Sequence, residues 1–217
     1  MDYREQIEDV LDIYKGIPIS EEVSIAIQEK GELKGFLIPV GIDYKKRYPQ
    51  FIDLVYKWRE ENPIGFANRF KGSREKTENW FDNVLLPRKD RILFFVSTIQ
   101  GQLIGHLGYS NFNYEKQSAE IDNVVRGVKG AEKGLMTKAM QTILLWGKKK
   151  LRLKEITLRV LDDNPHAVTF YERIGFKEIN RIPLYRIEHD GMIEWLDLDE
   201  HEERKPEKYF IVMQLCQ

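Results

Sequence analysis

Residues 163–176 read Asp163-Asn164-Pro165-His166-Ala167-Val168-Thr169-Phe170-Tyr171-Glu172-Arg173-Ile174-Gly175-Phe176. This is a helix with both ends written into it. Asn164 is an N-cap residue, and Pro165 suits the first helical position, where its fixed φ fits and its missing N–H is not needed. Ala167, Phe170 or Tyr171, and Ile174 line one side. Gly175 suits the left-handed position past the helix end. Just upstream, Glu155–Leu161 alternates Ile156, Leu158 and Val160 with polar residues, the pattern of a strand. The segment therefore reads strand, tight turn, helix.

Working outward, the turn Arg126-Gly127-Val128-Lys129-Gly130-Ala131-Glu132-Lys133 leads to a helix that starts at Gly134. Leu135, Met136, Ala139, Met140, Ile143 and Leu144 recur at helical spacing and form one buried face. The first turn of such a helix has backbone N–H groups without intrahelical partners, and the positive end of the macrodipole adds to them. Together they make an anion site that a glycine lets a pyrophosphate approach, with Lys129 and Lys133 at its rim. The glycines do not fit the pattern G-x-x-x-x-G-K-[ST]. Residue by residue, simpler readings stand beside these: a surface turn into a core helix, an ordinary N-cap at Asn164, and a core aromatic at Tyr171.

Taken together, the glycine-opened helix, the strand and the string Asp-Asn-x-x-Ala-x-x-x-Tyr-x-x-x-Gly-Phe resemble the core of the GNAT acyltransferases over roughly residues 118–180. The resemblance implies an α/β fold: a mixed, mostly antiparallel central sheet flanked by helices. It also implies transfer of an acetyl group from acetyl-CoA, as co-substrate, to a primary amine by direct attack on the thioester, with no metal. On this resemblance Lys133, Gly134, Leu135, Met136 and Thr137 hold the pyrophosphate. The backbone of Asn123, Val124 and Val125 pairs with the pantetheine arm and polarises the carbonyl. Asn164 sits beside the pantetheine, and Tyr171 is the general acid for the departing thiolate. The family loop usually reads [Gln/Arg]-x-x-Gly-x-[Gly/Ala]; with its inner glycine on Gly134, this chain has Ala131 and Met136 at the outer positions.

A general base has three candidates. Glu120 and Asp122 alternate onto one face of their strand, and two neighbouring carboxylates can raise one pKa toward neutrality. His106 has an intrinsic pKa near ~6.5. Simpler readings are salt-bridged or exposed carboxylates and a packed histidine; family members often use a water chain instead.

The whole chain sets the frame. Its 217 residues suit one domain with an elaborated edge, read as an N-terminal extension over 1–34 packed on an acetyltransferase domain over 35–217. With 34 basic and 35 acidic residues the net charge is −1, which gives no electrostatic case for nucleic acid. Cys216 is the only cysteine, and His106, His166, His189 and His201 lack metal-ligand spacing. No run approaches a membrane-spanning helix, and the N-terminus lacks an apolar signal core, so a cytoplasmic monomer or homodimer is expected.

Periodicity predicts a helix over 3–14, a hairpin or added strand within 15–34, a strand over 36–40, and helices over 48–61 and 76–86. Strands follow over 92–96, 103–109 and 119–125, with a loop from Ser110 to Gln117. Beyond Phe176 come strands over 182–188, 192–198 and 209–215, a turn at Asp190-Gly191 and a solvated charged loop over 199–208.

The acceptor is less constrained, because one fold serves many substrates. Ala67-Asn68-Arg69-Phe70 with Trp80, Phe81 and Arg91 reads as an aromatic and basic edge suited to a phosphorylated sugar, against simple core packing for Trp80 and Phe81. The run Glu120–Gly127 with Trp146 is similar to family members acting on amino sugars of bacterial surface polysaccharides. A nucleotide-linked amino sugar is therefore the first acceptor considered. A protein N-terminus or ribosomal protein, or a non-catalytic acyl-CoA-binding module, are the alternatives.

Overall fold

The computed structural model describes residues 2–16, 23–66, 72–130, 132–189, 192–199 and 204–216. Ala67–Phe70, Ala131, Asp190-Gly191 and His201, named above, lie outside them.

Helix α1 (Tyr3–Gly16) packs Ile7 and Leu11 into the main core. Strand β1 (Ile25–Glu29) turns back through Lys30-Gly31 and pairs antiparallel with β2 (Glu32–Pro39). A four-residue helix α2 (Tyr44–Arg47), not foreseen from periodicity, precedes α3 (Gln50–Glu61), which ends in a 3-10 turn at Pro63–Gly65. The second predicted helix is split. Its first part, α4 (Arg74–Trp80), is capped by the Ser73 side chain, and the rest, Phe81–Leu85, is a π turn.

Next come β3 (Ile92–Thr98), β4 (Leu103–Asn113) and β5 (Ser118–Arg126). β3 is buried at every position, as its unbroken apolar run requires. The loop expected from Ser110 is shorter, because β4 stays paired with β5 as far as Asn113–Ser118. Helix α5 (Leu135–Lys149), strand β6 (Glu155–Leu161) and helix α6 (Pro165–Ile174) follow. Strands β7 (Phe176–His189), β8 (Met192–Asp197) and β9 (Lys208–Leu215) complete the sheet.

Among the described residues nine strands lie in the order β1-β2-β3-β4-β5-β6-β9-β7-β8. Every pair is antiparallel except β5–β6. One face of the sheet packs on α1, α5 and α6 through residues such as Phe94, Tyr109, Met140, Leu158 and Met213. The other face is covered by α3 and the α4–π segment, where Phe51, Trp58, Phe81 and Leu85 meet Phe95 and Val125. Trp146 belongs to the first core: it stacks on Tyr109, and its indole N–H donates to the Tyr14 hydroxyl at 3.1 Å.

Candidate active site

The parallel pair is what opens the site. β5 and β6 are in register only from Ser118–Glu155 to Ile121–Leu158. Beyond that point the strands part, and a cleft of about 610 Å³ fills the gap. Its walls include Asp122, Asn123 and Val124 from β5, Leu161 from β6, and Asn164, Ala167 and Tyr171 from α6. At the same level β5 carries a bulge: opposite β4 the register shifts between His106–Val125 and Gly108–Asp122, and Asn123 takes a left-handed φ of 53°.

Each expected donor-site residue can now be placed. Gly134 is the N-cap of α5 with φ 86°, a conformation other residues adopt only with strain. Leu135 and Met136 turn their side chains into the core, so they offer only backbone, and Leu135 N–H is already bonded to the Glu132 carbonyl at 3.2 Å. The N–H groups of Met136 and Thr137 have no acceptor among the described residues. Lys133, one residue before Gly134, and Lys129 are exposed. Lys138, which periodicity did not single out, stands one turn on with its ammonium on Glu29 at 2.6 Å.

Asn164 caps α6: its side-chain oxygen accepts from Ala167 N–H at 3.2 Å. The neighbouring Asp163 is ion-paired with Lys208 of β9, which fixes the turn. Both ends of α6 are as expected, with Gly175 at φ 108°. Tyr171 is 8% exposed and lines the first cleft. Its hydroxyl has no hydrogen-bond partner among the described residues. Burial, and secondarily the nearby Asp122 carboxylate, hold its pKa above the usual phenol range, so it is a proton donor at neutral pH.

Asn123 lines the first cleft, with its backbone already engaged. Its N–H is bonded to its own neighbour's carboxylate, Asp122 Oδ1, at 2.7 Å, and its carbonyl oxygen is taken by His106 Nδ1 at 2.6 Å. The N–H of Asn123 is thereby committed within the protein, while its carbonyl oxygen keeps one lone pair.

The three base candidates separate. Glu120 is tied to Arg159 at 3.2 Å and to the Asn111 amide at 2.9 Å. Asp122 accepts from the Asn123 amide at 2.8 Å and faces Arg91 Nη2 at 3.4 Å. Each carboxylate thus has its own cation. His106 is 2% exposed, and burial pushes its pKa down to about 4. Its Nδ1 faces a carbonyl, so that nitrogen carries the hydrogen and Nε2 is bare. Nε2 is buried and finds no partner among the described residues.

A second cleft, of about 360 Å³, adjoins the first and shares Phe66, Asp122 and Asn123 with it. It is also lined by Val55, Arg59, Trp80, Arg91 and His106. Trp80 therefore stands in a cleft wall rather than in the core, whereas Phe81 is fully buried. Trp146 lines neither cleft.

The model of the acetyltransferase (GNAT) domain matches residues 51–177. The chain belongs to the GNAT acetyltransferase family. It is an N-acetyltransferase that draws on acetyl-CoA, with the family's α/β fold. Two curated nematode proteins described as N-acetyltransferase 9-like are similar to it. The one from Caenorhabditis elegans is 27% identical over 154 residues, 60% of this chain and 72% of that protein. The one from Caenorhabditis briggsae is 24% identical over 146 residues, 61% of this chain and 72% of that protein. Among solved structures, a chimera of spermidine N-acetyltransferase SpeG from Vibrio cholerae and hSSAT superposes with a TM-score of 0.58 at 19% identity, covering 84% of this chain and 95% of that one. Spermidine/spermine N-acetyltransferase SpeG from Vibrio cholerae, in complex with manganese ions, gives 0.55 at 19% identity, covering 84% and 92%. Among the described residues of this GNAT chain no group of three His, Cys, Asp or Glu is placed to hold a metal, and no helix is long and apolar enough to cross a membrane.

Proposed function

We propose that the protein acetylates a small-molecule primary amine in the cytoplasm, with the donor in the first cleft, Tyr171 as general acid and the acceptor entering from the second cleft. The single observation that carries this reading is the meeting of the two clefts at Asp122–Asn123, with a buried, unbonded phenol in the wall of the first.

The donor fits the residues present. The parted strands leave a slot lined by Val124 and Leu161, and the first turn of α5 offers the open N–H groups of Met136 and Thr137 to a pyrophosphate, with Lys133 beside them. These donors are backbone groups, so the missing Gln or Arg side chain of the family loop is not needed. Acetyl-CoA supplies the activated acetyl thioester. Val124 and Val125 are the peptide donors that polarise its carbonyl, and Asn164 borders the slot. Tyr171 gives its proton to the departing sulfur. Asp122 and His106 are the groups that can receive a proton from the attacking amine; Glu120, tied to Arg159, orders the outer wall instead.

The acceptor class we favour is a sugar amine, of which a nucleotide-linked amino sugar is one form, because Trp80 offers a ring face and Arg91 a cation in the second cleft. The solved neighbours titled as spermidine acetyltransferases give a second reading, a polyamine, and Asp122, which lines both clefts, favours it.

A thiol-release assay with acetyl-CoA over amino sugars, sugar nucleotides and polyamines tests the activity. In it, Tyr171→Phe is expected to lower kcat by about 10²–10⁴, the usual size of a general-acid contribution, with the acetyl-CoA Kd from calorimetry essentially unchanged. Unchanged turnover would remove Tyr171 from the role. Acetyl-CoA binding without turnover of any amine would point to a binding module.

A further inference from the structure

The second cleft carries two unmet hydrogen-bonding needs of opposite kind. His106 Nε2 is a bare acceptor, since Nδ1–H is committed to the Asn123 carbonyl. Arg91 Nε–H is a donor, buried and without a partner among the described residues, although Nη2 of the same guanidinium faces Asp122. Both side chains line the cleft. A hydrophobic molecule would leave both unsatisfied, and a polyamine would leave one: its ammonium groups suit His106 and Asp122 but offer nothing to Arg91.

The charge of the lining points the same way. Arg59, Lys76 and Arg91 stand against one carboxylate, Asp122. Arg59 lies over the Phe66 ring at 4.2 Å and Arg91 over the Trp80 ring at 5.9 Å, so both guanidinium groups are held by aromatic walls. Asp122, where the two clefts join, is the one carboxylate in this lining, and with His106 Nε2 it can hold an amine. The volume, about 360 Å³, is that of a small metabolite.

We infer that the second cleft binds an amine that also carries a carboxylate or phosphate, the amine end on His106 Nε2 and Asp122 and the anionic end on Arg91. This deepens the proposed acetyl transfer and rests on it. It narrows the acceptor to zwitterionic amines and sets polyamines aside as the preferred substrate.

Matched pairs test it: ethanolamine against its phosphate ester, and glucosamine against glucosamine 6-phosphate, with spermidine as the polyamine arm. In the thiol-release assay the anionic member of each pair is expected to have a kcat/KM ~10- to 100-fold above its neutral partner, the size of one charge-assisted hydrogen bond. Arg91→Met should bring that ratio toward one, and Arg91→Lys, which keeps the charge but loses the fork, should retain part of it. A thermal melt shows that each variant folds. Spermidine outperforming both anionic amines, or a ratio indifferent to Arg91→Met, overturns the inference. If no amine in the panel turns over, Trp80 fluorescence reads binding directly to the acetyl-CoA complex. Saturable quenching by glucosamine 6-phosphate and not by glucosamine, lost in Trp80→Phe, upholds the inference; its absence overturns it. Failure of the wild-type protein to bind acetyl-CoA in calorimetry strikes the activity itself, a separate result.

Discussion

His106 shows how one buried side chain ties the sheet to pH. Its ring is enclosed by Trp58 and Phe95, each with centroids 5.9 Å away, and its Nδ1–H holds the carbonyl of the bulge residue Asn123. The folded pKa of about 4 lies below the ordinary 6.5. As pH falls below 6.5 the unfolded chain takes up a proton that the folded chain refuses, so stability present near neutrality is lost progressively down to pH 4. The neutral ring therefore contributes on the order of 2–3 kcal/mol of stability at pH 7 that is gone by pH 4.5. His106→Gln, which does not titrate, should shrink the difference in urea-unfolding free energy between those two pH values by about that amount. An unchanged difference would mean that the ring is protonated in the native state. Sequence made Tyr171 and Asn164 legible because their signals are local: cap, spacing and terminating glycine all lie within one helix. The links from Asp122 to Arg91 and from His106 to Asn123 were not legible, since they join residues that only strand pairing brings together.

At the scale of elements, the least foreseeable piece is the π turn that ends the second helical stretch. A 3.6-residue repeat puts Trp80, Phe81 and Val84 on one face. The extra residue in the π turn instead sends Phe81 and Leu85 to the core and leaves Trp80 in the cleft wall. What holds this end is Lys15, from the last turn of α1. It is 4% exposed, and its ammonium donates to the carbonyls of Leu85 at 2.9 Å, Leu86 at 3.3 Å and Arg88 at 2.6 Å. Those are the orphan acceptors of a helix end, met by a side chain some seventy residues away in sequence. Burial draws the Lys15 pKa down to about 8, which still leaves it charged at neutral pH. Lys15→Met keeps the apolar stem and removes all three bonds, so it should destabilise the protein by about 2–4 kcal/mol in urea denaturation. A loss below ~1 kcal/mol would mean that water replaces the ammonium at no net cost. Because Trp80 and Arg91 flank this end, the same variant should also weaken acceptor binding more than donor binding. By contrast, β6, α6 and the caps between them were fully readable, because strand alternation and capping chemistry do not depend on distant partners.

For the whole molecule, the consequence of the fold is a sheet in two halves joined at one end. β1–β5 and β6–β9 are each antiparallel, and among the described residues the four-residue parallel register of β5 with β6 and the Glu120–Arg159 ion pair bridge them, with α5 and α6 beneath. The proposed donor slot is the unpaired remainder of that seam, so a donor lying in it would stand in for the missing strand contacts and link the halves. On that proposal acetyl-CoA is expected to be a structural as well as a chemical partner. At a concentration of 100 times its Kd, a ligand that binds only the native state adds about 2.7 kcal/mol, which for a chain of this size raises Tm by about 5–10 °C. The location of that gain is the sharper test. Hydrogen exchange should slow at Val124–Arg126 on one side of the seam, at Arg159–Leu161 on the other and at Met136–Thr137 at the start of α5, while β1 and β2 change little. Protection confined to α5 would show that the donor is gripped by its phosphates alone and that the seam stays open. Protection on both strands would mean that the parting of β5 from β6, the feature that makes the site, is closed by the substrate.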